Sequence, residues 1–591
     1  MAIEHKTSFL SRLRARLLEQ PMSAAIPLIL FTVNIFLMHS LFFPSFSDIN
    51  PWDEASYLHQ GMLLLETGQL PAFAANPLTG LFYALTYLPF QNSPLWMVFS
   101  CSLSRLVLFS LLWFAAYRVA RELEDYAPVP VQMGLMFITT LTMRTMRFPS
   151  DPLFASLAGI SFSYLLRYRN TSRAKYLGWA SLWMGLAAMA RNDGLILFLI
   201  LVVLALLQAA RFNQVRCAAV RILAPFLLLV GAYLGIYAAR YGAVDFGTAA
   251  RTYDAFEVGH LVIMGGLSEG EPVLQAPEAA REAFGTPEEN NYNVFRAILR
   301  NPSVYFERLL AVIKKTPVEF LLAYSRLAYL IPLFAIRGLI ELIRRRQFLL
   351  AFIFCAWPAH LLTSFITTVV RPGHLIFPYY AAFAISAVGL WSLIQDLHLR
   401  QERWAWRAGL AAIVVFSLLD NHPSTGFVYA LLWITIETII LLQQINPASP
   451  PSLTLLILFS AGLLLRGSYP QPQIPHIGEE PGEQALMIAA ASLEPGDLVA
   501  SASPGFAWAL KTDFIGLSSP DTPIQRTSDG FVEWLQSQHV GLIYVDTTLR
   551  DVAPTAWELL QAQVGLQLSQ IYSSADGSIQ LLSLIPVLEE N

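Results

Sequence analysis

Charge is scarce in this chain: 14% of its 591 residues are Asp, Glu, Lys or Arg, while 55% are hydrophobic. An ordinary soluble domain carries about 25% charged residues, so that class is excluded. Cysteine is nearly absent. Cys101, Cys217 and Cys355 lie far apart, each in or beside an apolar run. That spacing excludes a disulfide framework and a zinc-ligand set, and the three read as small core residues. No Gly-rich phosphate loop and no basic tract is present, which removes a nucleotide site and a nucleic-acid partner. The stretch from Phe43 to Ser93 contains no Lys or Arg at all. It nevertheless contains Asp53-Glu54, an adjacent acid pair that no basic residue of that loop can neutralise.

What is abundant is apolar sequence in runs of about 17–25 residues, the length that crosses a ~30 Å hydrocarbon core. The pattern predicts spans near 23–43, 95–119, 129–146, 152–168, 176–190, 194–210, 222–240, 321–343, 348–369, 377–395, 408–420, 426–442 and 453–466. Basic residues mark every second connection: Arg12, Arg14 and Arg16; Arg167 to Lys175; Arg211, Arg216 and Arg221; Arg344 to Arg346; Arg400 to Arg407. By the positive-inside rule these connections are cytoplasmic. The first 20 residues are basic and polar and carry no small-residue cleavage pattern, so they read as a retained signal anchor. The fold class is therefore a polytopic α-helical membrane protein of about thirteen transmembrane helices, with a C-terminal soluble α/β domain. The expected location is the cell (plasma) membrane, with the N-terminus in the cytoplasm and the tail outside.

Two segments break the apolar pattern. Residues 241–320 form a long external loop rich in acids, with a helical stretch at Val304–Lys315. After a Pro-rich linker, residues 470–591 alternate strand and helix: strands at 497–503 and 540–546, helices at 530–538 and 554–564, then a hairpin over 567–584. This gives two domains, 1–469 in the membrane with external loops 44–94 and 241–320, and 470–591 outside it. The tail is expected to rest against the 241–320 loop.

The chemistry-bearing residues collect on the outer face. Asp53 and Glu54 open a helix running to about Thr67. Asp151 sits in a very short turn, Arg147-Phe148-Pro149-Ser150-Asp151-Pro152, and Arg191-Asn192-Asp193-Gly194 separates two apolar runs. Arg371-Pro372-Gly373-His374 follows a further span. Carboxylates can act as general bases toward a hydroxyl or hold a cation. Arginine suits a phosphate, because its planar fork binds two oxygens and stays charged. Acids plus arginines at a lipid–water boundary imply a phosphorylated lipid meeting a hydroxyl acceptor. Plainer readings exist. Asp53 and Asp151 are good helix caps, and Arg191 and Arg371 could be snorkelling side chains.

These residues resemble the motifs of bacterial GT-C glycosyltransferases, relatives of the protein O-mannosyltransferases and the lipid A aminoarabinose transferase. The resemblance runs through Asp53-Glu54-Ala55-x-Tyr57, Asn76-Pro77-Leu78, Ser104-Arg105, Arg147-x-x-x-Asp151, Arg191-x-Asp193-Gly194 and Arg371-x-x-His374. It implies an inverting transfer from a polyprenyl-phosphate-linked sugar to an extracytoplasmic hydroxyl on a protein, lipid or envelope glycan. It further implies Asp53 as general base, with Glu54 orienting the acceptor or the loop helix and Asp151 as second acid. Arg105, Arg191, Arg371 and His374 would hold the donor phosphate. No cofactor is required. A divalent cation shared by Asp53, Glu54 and Asp151 is the open alternative, and Pro152 departs from the usual pattern in a way that resets the orientation expected of Asp151. A secondary transporter or lipid flippase is the competing class. It predicts internal repeats and polar residues at the midplane, whereas the polar residues here sit at the outer ends of spans.

Overall fold

The computed structural model describes residues 42–68, 76–124, 150–264, 278–399 and 479–585, interrupted at 324–329, 368–373 and a few shorter places, together with scattered positions between 28 and 35. The spans expected at 129–146, 408–420, 426–442 and 453–466, most of that at 23–43, and Arg371 lie outside the described residues.

After a 3-10 turn at Phe46–Asp48, the first loop carries helices α1 (Asp53–Thr67) and α2 (Pro77–Tyr87). Long helices follow: α3 (Trp96–Leu123), α4 (Ser150–Thr171), α5 (Lys175–Ala190), α6 (Asp193–Arg211) and α7 (Val215–Tyr241). Among the described residues, α3, α6 and the Val215–Arg240 stretch of α7 are long and apolar enough to cross a membrane. The 241–320 loop contains α8 (Ala249–Met264), α9 (Glu278–Phe284), α10 (Val294–Arg300) and α11 (Pro302–Ala323). Then come α12 (Leu330–Arg344), α13 (Phe348–Ala356), α14 (Leu361–Thr367) and α15 (Ile376–Leu399). The continuous span expected at 348–369 is broken: a 3-10 turn at Trp357–His360 separates α13 from α14. Pro358 is the cause, since it lacks the N–H an unbroken helix would use there.

Small residues let the bundle pack closely, as they must where lipid supplies no hydrophobic drive between helices. Ala155, Ala158, Ala180, Ala187 and Ala188 are all fully buried. Ser181 inserts its hydroxyl beside Pro225 of α7. It donates to the Ile222 carbonyl at 2.6 Å and accepts from the Phe226 N–H at 3.0 Å. A proline in a helix interior disturbs the hydrogen-bond ladder around it. Ser181 supplies bonds at that point and ties α5 to α7.

The tail contains α16 (Pro481–Ser492), β1 (Leu498–Ser501), α17 (Gly505–Ala509), β2 (Phe514–Gly516), α18 (Ser528–Ser537), β3 (Val540–Val545), α19 (Thr547–Val552), α20 (Pro554–Gln561), β4 (Leu568–Ser573) and β5 (Gln580–Leu584). The sheet order is β2-β1-β3-β5-β4. β1 runs parallel to β2 and β3, while β5 is antiparallel to β3 and β4. β1 and β3 are short and largely buried, as strands inside a parallel sheet require, while β2 at the edge is only half-buried.

The tail is seated on the first loop. Phe46, Leu58, Met62, Tyr87 and Trp96 form one buried cluster with Leu486, Phe506 and Leu542. Full burial of each large side chain in that seam is worth roughly 1.5–3 kcal/mol. The Trp96 indole also donates to the Ala509 carbonyl at 2.8 Å. The sequence suggested contact with the 241–320 loop. It gave no sign of this seam, because the apolar residues of 46–62 look like a membrane-surface helix when read alone.

Candidate active site at the first loop

The acid pair divides at once. Successive helical residues point about 100° apart, so neighbours on α1 meet different surroundings. Glu54 is fully buried and faces α3. The Arg105 guanidinium meets it with Nη2 on Oε2 at 2.6 Å and Nε on Oε1 at 2.9 Å. The Cys101 thiol and the Asn50 N–H add bonds to the same carboxylate at 3.1 and 3.3 Å. Arg105 also reaches the Asp48 carbonyl at 3.3 Å. This is a satisfied internal ion pair that fastens the start of α1 to α3. Both side chains are buried within it, and of the two roles expected of Glu54, orienting the loop helix is the one this contact matches.

Asp53 faces the other way. Asn50 caps the helix, its side-chain oxygen accepting from the Asp53 N–H at 2.9 Å. The Asp53 carboxylate instead accepts from Arg251 Nη2 at 3.1 Å. The same nitrogen donates to the Tyr57 hydroxyl at 2.8 Å, and the guanidinium carbon lies 4.8 Å from the Tyr57 ring centroid. Tyr57 stands one turn beyond Asp53, so both reach one face of α1. Burial pushes the Tyr57 hydroxyl above its usual pKa against the pull of Arg251, and Ser150 lies within hydrogen-bonding reach of it.

Ser150 brings in the second acid. Asp151 is buried in the first turn of α4, with Pro152 beside it. Its carboxylate is bonded to Arg191 Nη1, and Arg191 Nε reaches Asp193 at 2.7 Å. Pro152 therefore leaves Asp151 aimed at an arginine. Arg191 ends α5 in extended geometry before α6 begins at Asp193. Gly194 makes that tight link possible: a Cβ there would sit 2.5 Å from the Ala188 backbone. Neighbouring amides tie the connections together. Asn76 donates to Asn192 at 2.9 Å, and Asn192 donates to Thr248 at 3.2 Å, near the start of α8.

Asp53, Tyr57 and Arg251 thus form one group, and Ser150, within reach of Tyr57, adjoins a second group of Asp151, Arg191 and Asp193. Glu54 and Arg105 stand apart as a buried pair. His374 pairs its Nδ1 with the Ser364 hydroxyl at 3.1 Å. Among the described residues no group of three His, Cys, Asp or Glu side chains is placed to hold a metal ion. Asp53, Glu54 and Asp151 each face a different arginine, a geometry that does not fit one shared cation.

Arg251 was missed from sequence. It lies 198 positions from Asp53. The available signal was that it is a basic residue on the 241–320 loop, which the charge pattern expects outside, against the positive-inside bias.

The molecule is thus a helical bundle with an acid helix on its first loop and an α/β unit packed upon it. Among solved structures, the fold matches ArnT from Cupriavidus metallidurans bound to undecaprenyl phosphate, at 12% identity over 95% of this chain and 97% of that one, TM-score 0.54. The apo state of the same ArnT matches at 12% identity over 94% and 97%, TM-score 0.51. What is shared at this identity is the fold. No family model and no curated protein matches the chain in sequence.

Proposed function

We propose that the chain is an inverting glycosyltransferase. It moves a sugar from a polyprenyl-phosphate donor to an acceptor hydroxyl at the extracytoplasmic face. The observation that carries this reading is the Asp53 carboxylate. Left over from capping, it accepts from Arg251, which also holds the Tyr57 hydroxyl, and Tyr57 in turn lies near Arg191. The fold shared with an undecaprenyl-phosphate complex over 95% of this chain supports the donor class.

In the reaction, the acceptor oxygen attacks the anomeric carbon as Asp53 removes its proton. The carbon–oxygen bond to the phosphate breaks, and polyprenyl phosphate leaves with the electron pair. Arginine forks answer the growing charge on that leaving group. Arg191 is set for this by Asp151 and Asp193, which makes Asp151 a positioning residue. Arg251 releases Asp53 when a donor phosphate draws its guanidinium away. Arg371 and His374 remain candidates for the same phosphate. A divalent cation could bind only if the arginines now on Asp53 and Asp151 were displaced. The acceptor is a hydroxyl compound of a protein, lipid or envelope glycan.

Asp53→Asn tests the assignment, because Asn keeps the size of the side chain but cannot take the proton. Transfer from undecaprenyl-phosphate-linked sugars, assayed in membranes, should fall by about 10²–10⁴-fold with the fold intact. Transfer at the wild-type rate would remove Asp53 from the chemistry. A flippase would give no transfer in either protein.

A further inference from the structure

The tail touches α1 along a single line. Gly505 lies against Pro51, where an added Cβ would come within 3.3 Å of the proline Cα. Trp508 stacks on His59, with ring centroids 4.8 Å apart and planes 10° from parallel. Lys511 donates to Glu66 at 3.0 Å, and also to the Tyr87 hydroxyl at 2.6 Å and the Gln91 carbonyl at 3.0 Å. The three tail residues belong to one short connection between β1 and β2. His59 and Glu66 are seven residues apart, so on a helix they lie within about 20° of one another. Asp53 and Tyr57 lie about 120–180° around from them. One face of α1 is thus gripped by the tail while the opposite face presents Asp53 to Arg251.

We propose that the β1–β2 connection of the tail is a brace for the Asp53 helix, with Trp508 and Lys511 as positioning residues that act through α1 and never touch substrate. α1 needs such support. Its first turn is anchored by Glu54 and Arg105, but its far end, about 20 Å away at Glu66, is exposed and has Lys511 and Tyr87 as its described ion-pair and hydrogen-bond partners. Without the tail, the far half of α1 would rest on α2 alone, where Gly61 lies against the Tyr83 backbone, and a shift of the helix on that support would carry Asp53 out of register. The brace rests on the glycosyltransferase reading only for the catalytic half of its test.

Hydrogen exchange on the full chain, followed by mass spectrometry, reads the helix directly. The double variant Trp508→Ala, Lys511→Gln should raise exchange across 53–67 roughly tenfold, the combined loss of a ring pair and an ion pair. Strands 498–501 and 540–545 should hold. In the same variant, turnover should fall while affinity for undecaprenyl phosphate stays within about twofold, the pattern of lost alignment and not of lost binding. Lys511→Arg should behave as wild type. Unchanged exchange at 53–67 with the strands intact would overturn the brace, as would turnover unchanged despite a loosened helix, or affinity falling together with turnover. If Trp508→Ala loosens the strands themselves, Lys511→Gln alone is judged by the same criteria, since its side chain lies outside the tail's core. A wild type that transfers no sugar would sink the glycosyltransferase reading and leave the exchange result to decide the brace.

Discussion

Asp53 and Glu54 are adjacent acids with opposite fates, and their surroundings predict opposite mutant behaviour. The Glu54 and Arg105 side chains are 0% and 2% exposed, whereas those of Asp53 and Arg251 are 31% and 25% exposed. Removing one partner of a buried pair leaves an uncompensated charge and costs about 3–5 kcal/mol. Glu54→Gln should therefore lower unfolding stability by about that much, measured in detergent solution, and the double change Glu54→Gln, Arg105→Met should regain much of it. Asp53→Asn should cost no more than about 1 kcal/mol, because a partly exposed pair contributes little. Reversed results would exchange the roles of the two acids. At this scale the sequence was half legible. The pair stood out because its loop contains no basic residue, but nothing in adjacent letters says which acid turns inward. The deciding partners, Arg105 and Arg251, lie 51 and 198 positions away.

At the scale of elements, helices α4 to α7 follow the hydrophobic runs closely, since a run of that length has one stable form in lipid. The broken segment at Trp357–His360 was readable in principle from Pro358 but was hidden inside an apolar stretch. Helices of the 241–320 loop were partly readable, and the one that matters to the site, α8, gave no periodic signal strong enough to place Arg251. The α5–α6 link is the element on which Arg191 depends. Gly194→Ala should push the two helices apart, because its Cβ would meet the Ala188 backbone with no flexible side chain to yield. Overpacking of this kind costs about 1–3 kcal/mol. The variant should lose affinity for undecaprenyl phosphate, read by a ligand-induced thermal shift, while Asp53 stays in place. An unaltered shift would detach Arg191 from the donor.

For the whole molecule, the seam between tail and first loop holds a titratable group. His59 lies under Trp508, and burial lowers its pKa to about 4 from the ordinary 6.5, with Asp513 and Glu66 pulling the other way. The unfolded or undocked chain binds a proton at His59 below about 6.5, and the docked one only near 4. Docking is therefore fully favoured above pH 6.5, weakens as the pH falls toward 4, and levels off below that. The total is about 3 kcal/mol at most. Thermal stability should fall across that window, and His59→Gln should flatten the profile; an equally steep profile in the variant would place the titration elsewhere. The strands and hairpin of the tail were legible because their alternation is local. Its seat was not, because a docking surface is a property of two distant segments and shows in neither.

The distance spanned by that seam sets an order of events in the making of the protein. Lys511 meets Glu66 across 445 positions, and Trp96 meets Ala509 across 413. Contacts so far apart in the chain close slowly, because the intervening loop must be ordered before they reward it. A ribosome delivers α1 early, then the whole bundle, and only afterwards the stretch that steadies it. The helix bearing Asp53 is thus among the first parts made and among the last to reach its working position. A nascent or truncated chain ending before residue 505 would be inserted and folded in its bundle yet idle.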